Sequence, residues 1–444
     1  MLKIVIIGAG SMVFTKNIIG DLLTFDKLKI DIISLVDIDK KKLSLIEGLV
    51  RALCKQKKKD IHAESTTQRR DVLRDATYVI CTISVGGIDN YLNELNIPDK
   101  YGVNQNIGDT IGPGGVFRGL RVITEIINIC KDMEDLCPNA ILLQHSNPMA
   151  AICKAINLTT KVNCFGVCHS VQGTAKQIAG YLRVPYESVS YWCAGINHMA
   201  WFLKLTVNGR DIYPELRNIA SDKNKIIDLS EYENVYSEEG IKLVEFVRFE
   251  ILKHFGYFVS ESPFHMSEYV PYFRKNKEQI RKLMVHNRWW LGLKEREEEY
   301  FKDIERRINN EEFGDYEKTI EYAPDIINSI ENNIPFRANL NVTNNNLINN
   351  LPRDSCVEVP CSIDSEGIHP CYVGSLPEQC AALNRTNINV QELLVRAVVE
   401  KKKEYIYQAV KLDPLTSSIL TLSEIDEMVD ELIQASSKYL RDYK

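Results

Sequence analysis

The sequence predicts a doubly wound α/β sheet followed by a mixed α+β domain. Two observations carry that expectation. Short aliphatic blocks alternate with amphipathic helical stretches up to about residue 190, and polar clusters follow the blocks at their C-terminal ends. A chain of 444 residues is also too long for one simple core. The change of pattern divides it into residues 1–193 and 194–444.

The first block, "LKIVII" (2–7), runs into "GAGS" and then the amphipathic "FTKNIIGDLL", a strand, tight turn and helix. "KIDIISLVDID" (29–39) reads as the second strand and "KKKLSLIEGLVRALCKQ" as the next helix. Further strands follow at "HAESTT" (62–67), "ATYVICTIS" (76–84), "AILLQHS" (140–146) and "KVNCFGVCHS" (161–170), with "FRGLRVITEIINICKDMEDL" a long helix between them. Near-continuous apolar strands separated by helices imply a parallel sheet covered on both faces, wound by right-handed crossovers. Ligands of such sheets bind beyond the C-terminal ends of the strands. The clusters "GAGS", "VDID", "SVGG", "HSNPM" and "CHSVQ" all fall there.

In the second half, "GINHMAWFLKLTVNGRDIYPEL" predicts two antiparallel strands turned at Asn208-Gly209. A charged helix at 293–309, a strand-rich patch "NLPRDSCVEVPCSIDSEGIHPCYVG" and final helices from about 388 complete the chain.

Composition narrows the function. A hydrophobic share of 45% and a charged share of 26% are ordinary for a globular protein. A net charge of −6 gives no reason to expect nucleic acid or an anionic membrane as partner. The 12 cysteines contain no Cys-x-x-Cys pair, which argues against a zinc ribbon, a thioredoxin-type pair or a disulfide framework. The apolar N-terminus is short, glycine-interrupted and without a convincing cleavage site. No stretch approaches the roughly 20 apolar residues of a membrane span. A reduced, cytoplasmic enzyme is expected.

Gly8-Ala9-Gly10-Ser11 directly follows the first strand. The first glycine permits the tight turn, and the second lets a pyrophosphate approach backbone at a helix N-terminus. Val13 occupies the third glycine position, so the fingerprint is incomplete. Asp37, closing the second strand, is the acid expected on the adenosine ribose, with Asp39 the weaker candidate. Together these predict a Rossmann-type site, and the acid favours NAD over NADP.

Cys168 and His198 are both good ligands for a first-row divalent metal, but their spacing also suits a buried thiol beside a structural imidazole, or a nucleophile with its base. Asp109 and Arg118 lie in the glycine-rich stretch 106–121, and Asn147 stands at a strand end where Pro148 opens a helix. His265, Glu268, Tyr269 and Tyr272 are concentrated in "SPFHMSEYVPYF" (262–273). A loop, a helix cap and an amphipathic aromatic segment account for these equally well.

Taken together, "IGAGS", "GDTIGPGG", "SNPMA", "GVCHSVQGTA", "GINHMAWF", "GYFVSES", "HMSEYVP", "NLPRDSCVEV" and "LNRTNINVQELL" resemble glycoside hydrolase family 4 over nearly the whole chain. "CHSVQGT" and "GINHMAW" are similar to its α-galactosidase branch, whereas relatives acting on 6-phosphoglycosides carry Asn or Asp in place of His169. The resemblance implies a lactate/malate-dehydrogenase-like two-domain plan, NAD and Mn²⁺ as cofactors, and a small α-galactoside as substrate. It also implies an unusual route. NAD oxidises the sugar at C3, a base removes the C2 proton, the C1–O bond breaks by elimination, water adds, and the hydride returns.

By motif matching, Cys168 and His198 hold the metal and Tyr269 is the base, with Tyr257 and Tyr272 as alternatives. A phenol with a pKa of about 10 needs help near neutrality. The metal's charge and a hydrogen bond accepted by Asp109 are the expected sources. Asn147 is expected on sugar hydroxyls, and His169 is either the general acid or a sugar-binding histidine. The chain is expected to assemble as a homo-oligomer.

The alternatives are an α-glucosidase or α-uronidase of the same family, an NAD-dependent 2-hydroxy-acid dehydrogenase, and a non-catalytic NAD-binding sensor. A dehydrogenase would use a His–Asp pair and an Arg clamp without need of Cys168. A uronidase needs a cation for the sugar carboxylate, and the sequence singles out none.

Overall fold

The computed structural model describes residues 1–229, 245–285, 292–311, 313 and 316–444. Six of its strands come from the predicted aliphatic blocks: β1 (Lys3–Ile7), β2 (Ile32–Val36), β3 (His62–Thr66), β4 (Tyr78–Cys81), β5 (Ile141–Gln144) and β6 (Asn163–Val167). All are parallel, in the order β3-β2-β1-β4-β5-β6. This is the arrangement of a dinucleotide-binding sheet. Every residue of β1 and β4 is buried, as strands covered on both faces require. The connecting helices include α1 (Thr15–Leu22), α2 (Lys40–Gln56), α3 (Gly87–Lys100), α4 (Gly112–Leu136), α5 (Met149–Thr159) and α6 (Ser170–Leu182).

The sheet continues beyond β6. The remaining strands are β7 (Val189–Ile196), β8 (Met199–Val207), β9 (Arg210–Asp211), β10 (Phe336–Thr343), β11 (Cys356–Asp364) and β12 (Gly367–Pro370). β10 pairs antiparallel with β6 through Leu340–Val167 and Asn341–Gly166. β11, β7, β8 and β9 follow in that order, and β12 lies on β11, giving 12 strands in one sheet. Strands from far along the chain are thereby inserted between β6 and β7.

The Asn208-Gly209 turn forms with both residues at positive φ, 49° and 82°, but it joins β8 only to the two-residue β9. The substantial hairpin is β7–β8, turned at Asn197-His198. Neither β7 nor β10 was anticipated. In β10, "FRANLNVT" buries Asn339 and Asn341, whose side chains donate to Cys193 O and Met149 Sδ, so polarity hides the strand. The charged helix runs from Leu293 to Asn310, and the long C-terminal helix begins at Glu378, earlier than expected. Among the described residues, no helix is long and apolar enough to cross a membrane.

α1 shows how a distant segment is tied to the cofactor side of the sheet. It buries Ile18, Ile19 and Leu22, and also Asp21. Asp21 accepts from Thr319 N (2.8 Å) and Tyr316 Oη (3.0 Å), and Tyr316 Oη also lies 2.8 Å from Asn17 O. The Tyr316 ring lies over Gly20, where a Cβ would stand 2.2 Å from two ring carbons. Alanine is normally favoured over glycine in a helix by about 1 kcal/mol. Here overlap reverses the sign: Gly20→Ala should lower stability by about 1–3 kcal/mol in thermal or urea unfolding. In a Tyr316→Ala background the same substitution should be neutral or stabilising.

Candidate active site

The glycine loop is shaped by two close approaches. Gly8 has φ of 89° and donates to Val36 O at 2.9 Å; a Cβ there would lie 2.9 Å from the Thr82–Ile83 backbone. Gly10 donates its N–H to Asp37 Oδ2 at 2.8 Å, and a Cβ on Gly10 would meet the same oxygen. Asp37 therefore stands just past β2, against the loop. Ser11 Oγ accepts from Val13 N and Phe14 N, both at 3.3 Å, and shapes the entry to α1. Asp39 is occupied otherwise, as the N-cap of α2, accepting from Lys41 N and Lys42 N.

At the C-terminal end of β6, Cys168 meets the β7–β8 turn. His198, at φ of 62°, brings Nε2 to 3.4 Å from Cys168 Sγ. The Glu261 carboxylate joins them, with one donor atom of each residue within 4.8 Å of the others. Glu261 itself has φ of 72° and donates its N–H to Thr174 Oγ1 at 3.0 Å. Thr110 Oγ1 lies 3.4 Å from His198 Nδ1, the ring nitrogen facing away from the sulfur. Burial pushes the His198 pKa well below its ordinary value, with His265 and His169 acting in the same direction, so the ring is neutral and able to ligate. Burial also raises the Cys168 thiol, reinforced by Glu358 and Glu261. One sulfur, one imidazole and one carboxylate make a donor set that fits a divalent cation, whose charge would offset these negative groups.

His265 packs edge-to-face on His198 with ring centroids 4.5 Å apart. It bridges the set to Asp109, with Nδ1 3.3 Å from Glu261 Oε1 and Nε2 3.9 Å from Asp109 Oδ1. Asp109 accepts from Thr110 Oγ1 (2.6 Å) and from Asn147 Nδ2 (3.2 Å). The expected hydrogen bond from Tyr269 to Asp109 is not formed: the Tyr269 hydroxyl meets no partner among the described residues.

Tyr269 ends a short helix, Pro263–Tyr269, and is 1% exposed, with its ring centroid 6.4 Å from that of His198. Its hydroxyl is buried and has no partner among the described residues. Burial first, then the charges of Asp109, Glu261 and Glu268, raise its pKa well above the usual phenol value. Of the alternative tyrosines, Tyr257 packs on Tyr213, and Tyr272 is 42% exposed beside Phe255. Glu268, one residue before Tyr269, binds the loop that leads to Asp109. Its carboxylate accepts backbone N–H groups from Asn106, Ile107 (2.7 Å) and Gly108 (3.0 Å).

His169 stands just before α6, with Nδ1 2.8 Å from Glu321 Oε1. Burial alone would raise the pKa of Glu321, but the His169 charge and hydrogen bond outweigh it and hold the carboxyl below its ordinary value. Thr319, bound to Asp21, anchors the segment that carries Glu321. A cavity of about 1710 Å³ unites these parts, lined by Gly8, Asp37, Cys168, His169, His198 and Glu261 among others. Drug-sized pockets occupy roughly 300–1,000 Å³, so this one has room for a dinucleotide and a sugar together. Ser11, Asp109 and Asn147 also line it, whereas Tyr269 lies beside the wall. Arg118 lines it too, donating to Asn147 O at 3.3 Å. Glu261 and Glu321 were missed as site residues, since neither glutamate carries a spacing signal.

Residues 3–184 match the model of the family 4 glycosyl hydrolases, and residues 193–416 match that of their C-terminal domain. The chain belongs to glycosyl hydrolase family 4. It is 40% identical to the α-galactosidase of Bacillus subtilis (strain 168), over 100% of both chains. Its structure is similar to that of a 6-phospho-α-glucosidase from gut microorganisms in complex with NAD and Mn²⁺, with a TM-score of 0.84, 20% identity and 100% of each chain covered. A more distant likeness, with a TM-score of 0.52 and 14% identity over 90% of this chain and 99% of the other, is to malate dehydrogenase from Plasmodium falciparum in complex with NADH.

In this family 4 chain the loop at 106–108 depends on a charged acceptor. Glu268→Gln should weaken those bonds by about 1–3 kcal/mol and speed amide exchange there by roughly 10–100-fold, measured by hydrogen-exchange mass spectrometry.

Proposed function

We propose that this glycosyl hydrolase is an α-galactosidase working through NAD and Mn²⁺. One observation carries the reading: a single cavity joins a dinucleotide-type glycine loop to the Cys168–His198–Glu261 set. The substrate class is supported by the full-length identity of 40% to an α-galactosidase.

Gly8, Gly10 and Ser11 line the cavity where a pyrophosphate would lie, at the entry to α1. Asp37 accepts hydrogen bonds from the adenosine ribose. Cys168 and His198 hold the cation, and Glu261 adds the third protein donor. Bound beside the glycine loop, NAD would supply hydride exchange with the sugar, and a cation held by Cys168, His198 and Glu261 would supply Lewis-acid stabilisation and a lower Tyr269 pKa.

Tyr269 receives the C2 proton; catalytic contacts are commonly longer in ligand-free proteins than in complexes. Loss of that proton expels the leaving group from C1. His169, oriented through Nδ1 by Glu321, donates the proton that the leaving oxygen takes up. Asn147 and Asp109 order sugar hydroxyls. Because the cavity wall contains Arg118, a uronate carboxylate has a possible partner there, and uronides belong in the substrate panel.

The test uses p-nitrophenyl α-galactoside, α-glucoside, α-glucuronide and α-galacturonide with chelated protein, then adds back Mn²⁺ and NAD. The galactoside should be turned over best, and only after both additions. Turnover by rigorously NAD-free protein excludes the redox–elimination route, and so does a C2 deuterium label retained in the product. Faster turnover of a uronide or glucoside replaces the substrate assignment alone. Tyr269→Phe should lower kcat by about 10²–10⁴-fold with little change in NAD affinity, measured by steady-state kinetics and calorimetry.

A further inference from the structure

Glu358 is the most anomalous charged side chain among the described residues. It lies in β11, is 0% exposed, and neither carboxylate oxygen has a hydrogen-bond partner among the described residues. Other buried carboxylates here are answered by donors: Glu245 by Arg248, Glu94 by Arg121, and Glu268 by backbone N–H groups. An ionised carboxylate buried without a donor or a cation is costly. The groups acting on Glu358 are Glu261 and Asn197, neither of them a cation, and burial pushes its pKa well above the ordinary value.

Its place in the sheet relates it to the proposed cation donors. Glu358 is bridged across β11–β7 to Gly195, three residues before His198. On its other side it pairs with Asn341, which pairs with Gly166, two residues before Cys168. Glu358 and Glu261 both act to raise the Cys168 thiol, after burial. Asn197, adjoining His198, is 0% exposed, and both its side-chain polar atoms lack partners. Glu358 does not line the cavity and is not one of the three donors.

We infer that Glu358 is an outer carboxylate of the cation site, placed behind Cys168, His198 and Glu261 to favour a divalent ion through its charge. The inference rests on the assignment of the cation to those three residues. Groups just outside a ligand shell typically change metal affinity by about 10–100-fold. A buried acid retained for this purpose also has a distinctive signature. Its amide isostere should weaken ion binding without weakening the metal-free fold, because no hydrogen bond to a donor and no ion pair is lost with the carboxylate.

The experiment titrates MnCl₂ into chelator-treated full-length protein and reads free Mn²⁺ by electron paramagnetic resonance, alongside thermal melts of the metal-free forms. Glu358→Gln should bind Mn²⁺ about 10–100-fold more weakly while its metal-free Tm is unchanged or higher. Glu358→Asp, which keeps the charge, should stay closer to wild type than the Gln variant. Affinity within twofold of wild type in Glu358→Gln overturns the inference. So does a lowered metal-free Tm or failure to fold, which assigns Glu358 to the framework, and so does equal weakening by Asp and Gln. If wild type binds Mn²⁺ and Cys168→Ser or His198→Ala does not weaken it, the cation assignment itself fails, and the inference with it.

Discussion

The approach of Cys168 to His198 depends on an insertion in the sheet. The two residues belong to opposite sides of the pattern change near residue 190, and β10 and β11 lie between their strands. Hydrogen-bonded ladders therefore set their separation, rather than a flexible interface. The left-handed backbone at His198 then aims Nε2 at the sulfur, and Thr110 meets the other ring nitrogen. Thr110 is itself held by the loop that Glu268 gathers, so the helix bearing Tyr269 also fixes the partner of His198. Site geometry and sheet continuity are one mechanical system.

The electrostatics follow the same logic. Asp109, Glu261, Glu268 and the Cys168 thiol all press the Tyr269 pKa upward, and burial does so most. Protein groups alone keep that phenol neutral. A positive charge among the donors would act against this upward pressure on both Tyr269 and Cys168, by Coulomb interaction rather than through a moving part. His169 is held from another side: its partner Glu321 comes from the segment fastened to α1 through Asp21.

The parallel half of the fold was legible because burial on both faces forces long aliphatic runs, and "LKIVII" or "YVIC" leaves few other readings. β10 was not, because it is polar where it meets other elements, as Asn339 and Asn341 show, and β7, "VSYWCAGI", has no strict alternation to mark it as a strand. In the site, Gly8, Gly10, Asp37, Cys168 and His198 stand at strand ends or turns, where position itself is a signal. Glu261, Glu321 and Glu358 are single glutamates in a loop, before a helix and inside a strand, and only three-dimensional proximity distinguishes them from surface acids. The structure places Asp39 in capping bonds and Asp37 against the glycine loop, and it packs Tyr269 beside His198, Tyr257 on Tyr213 and Tyr272 beside Phe255.

The late insertion of β10 and β11 has a consequence in time. A chain leaving the ribosome presents β1 to β6 first, and those six strands can pair among themselves as they emerge. The outer edge of β6 then waits, with the Cys168 end beside it, until residues 336–364 have been made. Throughout that interval the nascent chain carries a bare sheet edge, the kind of surface that invites pairing with a neighbour. The same strands that complete the sheet therefore also end its most aggregation-prone stage.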